Sequence, residues 1–319
     1  MAAFEPAGIM HRMVGSATIG VLAVSLLAWA QDDPVFRTSV SLVRVDAQVT
    51  DGANIVEGLQ KGDFIIQDNG QPQLILYCSQ EEQRLDLMIL VDSSGSMERS
   101  VRRLAASAQA ALAELRSGDR VAVAHFSTES WLIAPFSGNL HEVAETLDRI
   151  VDLRFGGGTH ILSAVNDAAG YFTKNADERR RHAILIFTDN FGQTSMSERA
   201  VVNRLWAADV LLCGLIVRLP GNRIGPIHWW GDEDMLGAAK KTGGETVNAT
   251  DPAGAFREML HRMRKRYSIY YQMPPGKAGA SRRVSVDLSG DARARYPEAA
   301  VLARKGYVIP KLPLPGPRP

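Results

Sequence analysis

An α/β fold, with a doubly wound and mostly parallel sheet inserted between two β-rich flanks, is predicted by three observations. From about residue 84 to 266, short apolar runs alternate with stretches whose apolar residues recur at spacings of three and four. Alternating strand and helix periods place helices on both faces of a parallel sheet. Residues 31–83 and 267–309 carry strand patterns and turn residues instead. Each flank is too short to close a core alone, whereas together they match a modest sandwich. They are expected to pack into one β-sandwich, the alternative being two separate β appendages.

In the first flank, Val43-Arg44-Val45-Asp46-Ala47-Gln48-Val49-Thr50 alternates apolar and polar residues, as a half-buried strand does, and Asp51-Gly52 turns the chain. Phe64–Gln67 and Leu74–Tyr77, joined through Asp68-Asn69-Gly70, read as a hairpin. The middle has five strand-like runs: Leu85–Val91, Arg120–Phe126, Trp131–Pro135, Ala183–Thr188 and Val210–Val217. Val101, Leu104, Ala105, Ala108, Leu112 and Leu115 mark one helix, with Gly118 past its end. Ser195 and Glu198 form a capping-box pattern ahead of a second. Asp232, Glu233 and Asp234 open a third, which Lys240 and Lys241 close, the charge order a helix dipole favours. Asp251-Pro252 starts the last, a cap followed by proline at the first position. The second flank offers strands at Tyr267–Gln272, Arg282–Leu288 and Val301–Ile309, then a proline-rich extended tail over 310–319.

Composition narrows the function classes. A formal net charge of +1 over 319 residues gives no bulk case for nucleic acid or an anionic surface. The basic clusters Arg179–His182 and Arg262–Arg266 are expected to be solvated helix ends. At the N-terminus, His11 and Arg12 precede an uncharged stretch from Met13 to Ala30, which ends in the small-x-small pattern Ala28-Trp29-Ala30. Residues 1–30 are read as a cleaved signal peptide, with an uncleaved anchor as the alternative. The stretch is short against the roughly 20 residues of a comfortable span. No membrane span is expected after cleavage. The folded part is expected outside the cytoplasm, periplasmic or extracellular. Cys78 and Cys213 sit in apolar strand-like runs and are expected to be unpaired.

The chemistry concentrates at Asp92-Ser93-Ser94-Gly95-Ser96, which follows the apolar run Leu85–Val91 and precedes a helix. A strand that ends in an acidic, hydroxyl-rich turn gathers oxygen ligands, which hard divalent cations prefer. Read alone, the turn is equally a helix N-cap with spare hydroxyls. Two distant segments change that balance: Gly156-Gly157-Gly158-Thr159 and Ile186-Phe187-Thr188-Asp189. In an open α/β sheet, ligands bind at the carboxyl ends of the strands near the point where strand order reverses, and all three segments fall there.

Together these residues resemble the metal-ion-dependent adhesion site of von Willebrand factor type A domains: D-x-S-x-S, then a Thr, then an Asp. The resemblance implies a Rossmann-like domain over 84–266 with Asp92, Ser94, Ser96, Thr159 and Asp189 as the metal set. Ser94 and Ser96 would bind by their hydroxyls, Thr159 directly or through water, and Asp92 and Asp189 often through water. The metal would be Mg²⁺, or Mn²⁺ or Ca²⁺. A shell of neutral hydroxyls leaves the cation free to take an Asp or Glu carboxylate from a protein partner, completing the octahedron magnesium demands. Asp63-Phe64, Asp68-Asn69-Gly70 and Arg304-Lys305-Gly306-Tyr307 further resemble an exported bacterial "VWFA-related" family. Many members have Thr-Asp-Gly where this chain has Thr188-Asp189-Asn190. Asn tolerates the left-handed backbone, so the site is expected to survive. In related domains the last helix slides and switches affinity; Asp251–Arg266 is its counterpart here.

Partner selection is assigned to residues around that site: His160, which follows the key Thr, Asn190, and Arg223, His228, Trp229 and Trp230 of the segment 218–231 after the fifth strand. Aromatic and arginine side chains are the usual hot spots. Packing of the two tryptophans as a local core is the alternative. Catalysis finds little support. There is no Gly-x-Ser-x-Gly elbow, no His-Glu-x-x-His, and no Lys-Ser/Thr after Gly156–Gly158. The expected function is a non-enzymatic, metal-dependent protein-binding module. Its rivals are a structural envelope subunit with a stabilising or vestigial metal site and, behind that, a hydrolase.

Overall fold

The computed structural model describes residues 41–80, 83–193, 195–217, 232–233 and 235–311. The expected signal peptide, most of the proline-rich tail, and Arg223, His228, Trp229 and Trp230 lie outside these. In chain order the elements are β1 (Leu42–Asp51), β2 (Asn54–Ile55), β3 (Phe64–Asp68), β4 (Gln71–Gln73), β5 (Ile75–Ser79), β6 (Leu85–Asp92), α1 (Glu98–Leu112), β7 (Arg120–Phe126) and β8 (Ser130–Ser137). Then follow α2 (Leu140–Arg149), α3 (Ile161–Asn175), β9 (Arg181–Thr188), β10 (Gly192–Gln193), α4 (Glu198–Ala207), β11 (Val210–Ile216), β12 (Asp232–Glu233), α5 (Met235–Thr242), β13 (Thr246–Asn248) and α6 (Pro252–Arg264). The chain ends with β14 (Tyr267–Gln272), β15 (Ser281–Leu288), α7 (Gly290–Arg295), β16 (Ala300–Ala303) and β17 (Gly306–Val308).

The α/β part is built on a six-stranded sheet of order β13-β11-β9-β6-β7-β8, parallel except for β8. Every residue of β6 and β9 is buried, as strands covered on both faces must be. That is why both read as unbroken apolar runs in the sequence. On one face Leu87, Ile89, Leu185 and Phe187 meet Val101, Leu104, Val143, Phe256 and Met259 from α1, α2 and α6. On the other, Met88, Leu90, Ile184 and Ile186 meet Ile161, Val165, Phe172, Val201, Leu205 and Met235 from α3, α4 and α5. Strand order runs outward in opposite directions from β6 and β9, so the reversal falls between them. Asp92 ends one and Asp189 follows the other.

The flanks share their sheets. β1 pairs antiparallel with β14 (Val45 opposite Ile269) and with β16 (Val49 opposite Val301). One sheet is β16-β1-β14-β5 with β2 on β1, and the other is β17-β15-β3-β4. Each sheet therefore draws strands from both sides of the α/β part, which alternate in the first and meet at the β15–β3 pair in the second. Their inner faces close one core around Val45, Val49, Phe64, Ile66, Tyr267, Ile269, Val286 and Leu288. At its centre the buried Asp68 carboxylate accepts hydrogen bonds from Tyr271 and Tyr307 (2.8 Å each) and pairs with Arg282 Nε at 2.6 Å. The Asp68-Asn69-Gly70 and Arg304–Tyr307 segments, 234 or more residues apart, thus meet at one hydrogen bond. Burial first, and the Asp68 carboxylate beside them, push both phenols above their ordinary range.

A polar seam joins the sandwich to the base of the α/β sheet. Arg181, at the start of β9, is 2% exposed and donates to Asp46 of β1 from Nε (3.2 Å) and Nη2 (3.3 Å), and to Met263 O from Nη1 (2.7 Å). Ser268 of β14 donates to the same carboxylate at 2.8 Å. Arg44 reaches Asp209 at 2.6 Å, and Arg304 pairs with Asp209 from the far flank. The end of α6 is held as well: Arg264 pairs with the buried Asp119, and α6 runs into β14 after two residues.

Several expectations are corrected by these placements. Arg181, His182, Arg264 and Arg266 are buried rather than solvated, and Arg181–His182 begin a strand. The arm opposite β3 is Gln71–Gln73; at Leu74 the chain crosses to the other sheet, so Leu74–Tyr77 is not that arm. The 301–309 stretch splits into β16 and β17, one in each sheet. The cap of α4 is Ser197, whose hydroxyl accepts from Ala200 N, while Ser195 Oγ accepts from Ser163 N of α3. The third helix opens at Met235, because Asp232 and Glu233 pair with β10. Asp251 stands at the N-cap of α6 without a side-chain cap bond. Cys78 and Cys213 are free thiols. No described helix is long and apolar enough to cross a membrane.

Candidate metal centre

Three loops converge at the carboxyl end of β6 and β9. The first carries Asp92, whose fully buried carboxylate is fixed at both oxygens. Oδ1 accepts from Ser94 N at 2.9 Å and Oδ2 from Thr188 Oγ1 at 2.7 Å. Ser94 Oγ and Ser96 Oγ stand 3.3 Å apart, Ser94 buried and Ser96 exposed. Ser96 Oγ donates to Asp189 Oδ2 at 2.8 Å, which ties the first loop to the second. Asp189 Oδ1 accepts from Phe191 N at 3.1 Å. The third loop lies against the first: Gly156 N donates to Ser93 O at 3.0 Å. Gly157 adopts φ +84°, and a Cβ there would sit 3.2 Å from Thr128 Oγ1, so glycine suits both the turn and the contact. Thr159 follows, buried, its carbonyl accepting from Gln193 N at 2.8 Å.

Asp92, Ser94, Ser96 and Asp189 are thus linked directly, and Thr159 is brought to the same end of the sheet. His160 is half-buried, its backbone and Nδ1 donating to Ser127 O and Thr128 O at 2.9 Å each. Asn190 takes φ +57°, the left-handed backbone expected of it. Its Oδ1 accepts from Met235 N at 3.4 Å, so it also holds the start of α5 to the metal-site loop. Asn190→Gly is expected to keep the backbone and lose only that bond. Asn190→Ala adds about 1–2 kcal/mol of left-handed strain; chemical denaturation of the pair separates the two. The loop 218–231 is outside the described residues, but both of its stems are at this face. Val217 N donates to Thr188 O at 2.9 Å, and Asp232 pairs with Gln193.

Four participants were not singled out from the sequence. Thr188 orients Asp92 and, through its Oγ1, accepts from Asn190 N at 3.1 Å. Ser93 Oγ donates to Phe126 O at 2.9 Å and lies 3.0 Å from His125 Nδ1. His125 in turn stacks flat on Trp131, ring centroids 5.0 Å apart. Thr188 and His125 lie inside strand patterns, which conceal a polar role at a strand's end.

The donor set is oxygen throughout and suits a hard cation. Burial first, then repulsion from Asp189, raises the Asp92 carboxyl above its ordinary range despite the hydrogen bonds it accepts. Among the described residues neither carboxylate is paired with a lysine or arginine. Nor do three or more His, Cys, Asp or Glu cluster as a metal site among them, so a cation here would rely on the serine and threonine hydroxyls.

Residues 87–193 match the family model of the von Willebrand factor type A domain. No curated protein sequence matches the chain. Similar solved structures include the conserved hypothetical protein BatB of Bacteroides thetaiotaomicron (18% identity, 56% of this chain and 97% of that one, TM-score 0.43). Another is a von Willebrand factor type A protein from Catenulispora acidiphila (13%, 86% and 76%, 0.46). A third is proximal thread matrix protein 1 of the mussel byssus with a zinc-occupied MIDAS motif (11%, 61% and 50%, 0.48). Residues 87–193, about a third of the chain, are thus the part that matches the von Willebrand factor type A domain.

Proposed function

We propose that the chain is a divalent-metal-dependent protein-binding module, without enzymatic activity, that works outside the cytoplasm. One observation carries this reading. Two carboxylates, Asp92 and Asp189, and the hydroxyls of Ser94 and Ser96 converge at a strand switch point without a basic partner among the described residues. Ser94, Ser96 and Thr159 would hold Mg²⁺, Mn²⁺ or Ca²⁺, with Asp92 and Asp189 balancing its charge. The metal would supply an open coordination position for an Asp or Glu side chain of a partner. The exposed Phe191, beside Asp189, offers that partner an apolar contact. Export rests on the signal-like residues 1–30.

Ser93 speaks against the hydrolase reading. A serine nucleophile must be reachable and must give its proton to a base. Ser93 is 2% exposed, and its hydroxyl donates to the Phe126 carbonyl at 2.9 Å, a hydrogen bond that competes with any proton transfer to His125. The envelope-subunit reading differs in having no exchangeable ligand, so saturable and metal-dependent partner binding separates it.

The test is thermal unfolding of the mature protein, stripped with EDTA and titrated with Mg²⁺ and Mn²⁺, beside Asp92→Ala. At about 100 times the dissociation constant the metal adds roughly 2.7 kcal/mol. A rise in the wild type that Asp92→Ala lacks is expected; no rise in either protein ends the metal-dependent reading. The metal-free protein has its own signature. A raised folded value means that Asp92 contributes stability fully below the ordinary carboxylate range, lost as pH rises through that raised value.

A further inference from the structure

One edge of the six-stranded sheet is β8, and its run of consecutive exposed residues lies where it meets the metal face. Being antiparallel to β7, it starts at the metal end, opposite Phe126, and runs away from it. Its first pairs, Phe126 with Ser130, His125 with Trp131 and Ala124 with Leu132, are regular, and the register slips beyond them. Pro135 lies in the slipped half. Bulges and proline are the usual devices that blunt a strand edge, and here they are confined to the far end. Burial divides the strand in the same way. Phe136 is covered by Tyr171 and Phe172 of α3, whereas Trp131, Leu132 and Ile133 are 44%, 47% and 37% exposed in succession. Three consecutive exposed residues leave both faces of the strand partly open there, beside the hydrogen bond that Ser130 Oγ donates to Asp167 of α3 at 3.1 Å.

This open half is continuous with the metal centre. Trp131 stacks on His125, His125 contacts Ser93 inside the D-x-S-x-S turn, and the β7–β8 turn accepts from His160 next to Thr159. The charge of the centre fixes what can dock across both. Its carboxylates repel an acidic group, and a bound cation would reverse that repulsion by offering a positive charge to an acidic ligand.

We propose that the partner presents its acidic residue on an extended segment that adds as a further strand to the edge of β8 at Ser130–Ile133, with Trp131 as the anchor. Main-chain hydrogen bonds to the edge supply affinity, and the cation fixes the register. The distance fits a short link. From β6 across β7 and β8 to an added strand is three strand spacings, about 14 Å, which about four extended residues cover. The inference rests on the metal-dependent reading above.

The probes are capped, dye-labelled peptides: Gly-Asp-Gly alone, and Asp joined by Gly-Ser-Gly-Ser to Thr-Val-Thr-Val, in both chain directions. Binding to the mature protein is followed by fluorescence polarisation in Mg²⁺ and in EDTA. The long peptide in one direction is expected to bind at least about tenfold tighter than Gly-Asp-Gly. Leu132→Pro or Trp131→Ala should erase that gain, and Leu132→Pro should leave both the Gly-Asp-Gly affinity and the Mg²⁺-induced thermal shift unchanged. The thermal shift also reports folding; if Leu132→Pro loses it, Trp131→Ala decides. Equal affinities for long and short peptides, or a gain that survives Trp131→Ala, overturn the proposal. A dimer in Mg²⁺, seen by sedimentation and abolished by Trp131→Ala, overturns it in favour of β8 pairing with a second copy. Strand-dependent binding that EDTA does not affect keeps the edge and removes the metal-centred reading beneath it.

Discussion

Asp46→Ala is expected to lower the free energy of unfolding by about 3 kcal/mol, the low end of what breaking a buried ion pair costs. The loss comes from the residue left behind. Arg181 is 2% exposed, and without Asp46 its guanidinium keeps the Met263, Arg264 and Arg266 carbonyls and the Ser268 hydroxyl but, among the described residues, no negative charge at hydrogen-bond distance. Ser268 loses its acceptor in the same step. Asp46→Asn keeps a similar shape and should cost less, so the difference between the two isolates the charge. The pH dependence has a definite sign. Burial alone would raise the Asp46 carboxyl, but Arg181 and Arg44, with the hydrogen bonds from Ser268 and Arg181, hold it well below the usual carboxylate range. Its contribution is therefore present above about pH 4, the ordinary carboxylate value, and lost as pH falls toward the folded one. Urea titrations at neutral pH and at low pH should show the Asp46→Ala deficit shrinking on acidification. A deficit independent of pH would assign the effect to packing.

Asp68→Ala is the second large effect, about 3–5 kcal/mol. It strands two buried phenols and the Arg282 guanidinium at once, in a core that joins both sheets of the sandwich. Tyr271→Phe removes one donor and leaves the carboxylate with Tyr307 and Arg282, so it should cost about 1.5–3 kcal/mol, as a hydrogen bond to a charged group does. Tyr307→Phe should behave alike. A double-mutant cycle between Tyr271→Phe and Tyr307→Phe tests whether the three groups act as a unit, since residues sharing one network couple. Strict additivity would mean that each phenol meets the carboxylate independently.

The strands that carry the site were legible because they are covered on both faces. β6, β7, β9 and β11 read within two residues of their limits, since an unbroken apolar run admits few other placements. The short pieces were not. β10, β12 and β13 are two or three residues long and carry no period, and β4 is Gln71-Pro72-Gln73, with no apolar residue except the proline. The seam was invisible for a different reason. Asp46 read as one polar step in an alternating strand and Arg181 as part of a basic cluster. Only the fold reveals that they meet across 135 positions. The D-x-S-x-S turn announced itself by composition, whereas Thr188 and His125, which orient it, were hidden in strand patterns. The α6 segment, the counterpart by resemblance of a helix that can slide in related domains, is tied at its end by Arg264 to Asp119 and by Arg181 to the Met263 carbonyl.

The interleaving of the two flanks has a consequence for the order in which the protein folds. β1 finds its neighbours β14 and β16 only after the whole α/β part has been made, since those strands lie more than 200 positions later in the chain. Closing so long a loop from an unfolded chain is entropically costly and slow. The α/β part removes most of that cost when it folds, because its two ends finish side by side. Arg181 N donates to Arg84 O beside the entry, and Arg181 Nη1 reaches the Met263 carbonyl beside the exit. Once those ends are together, β5 and β14 are neighbours, and the sandwich assembles as though its halves were joined by a short turn. The inserted domain is thus the template for the sandwich, and the edges of β1, β3 and β5 that take β14, β15 and β16 wait open until it has formed.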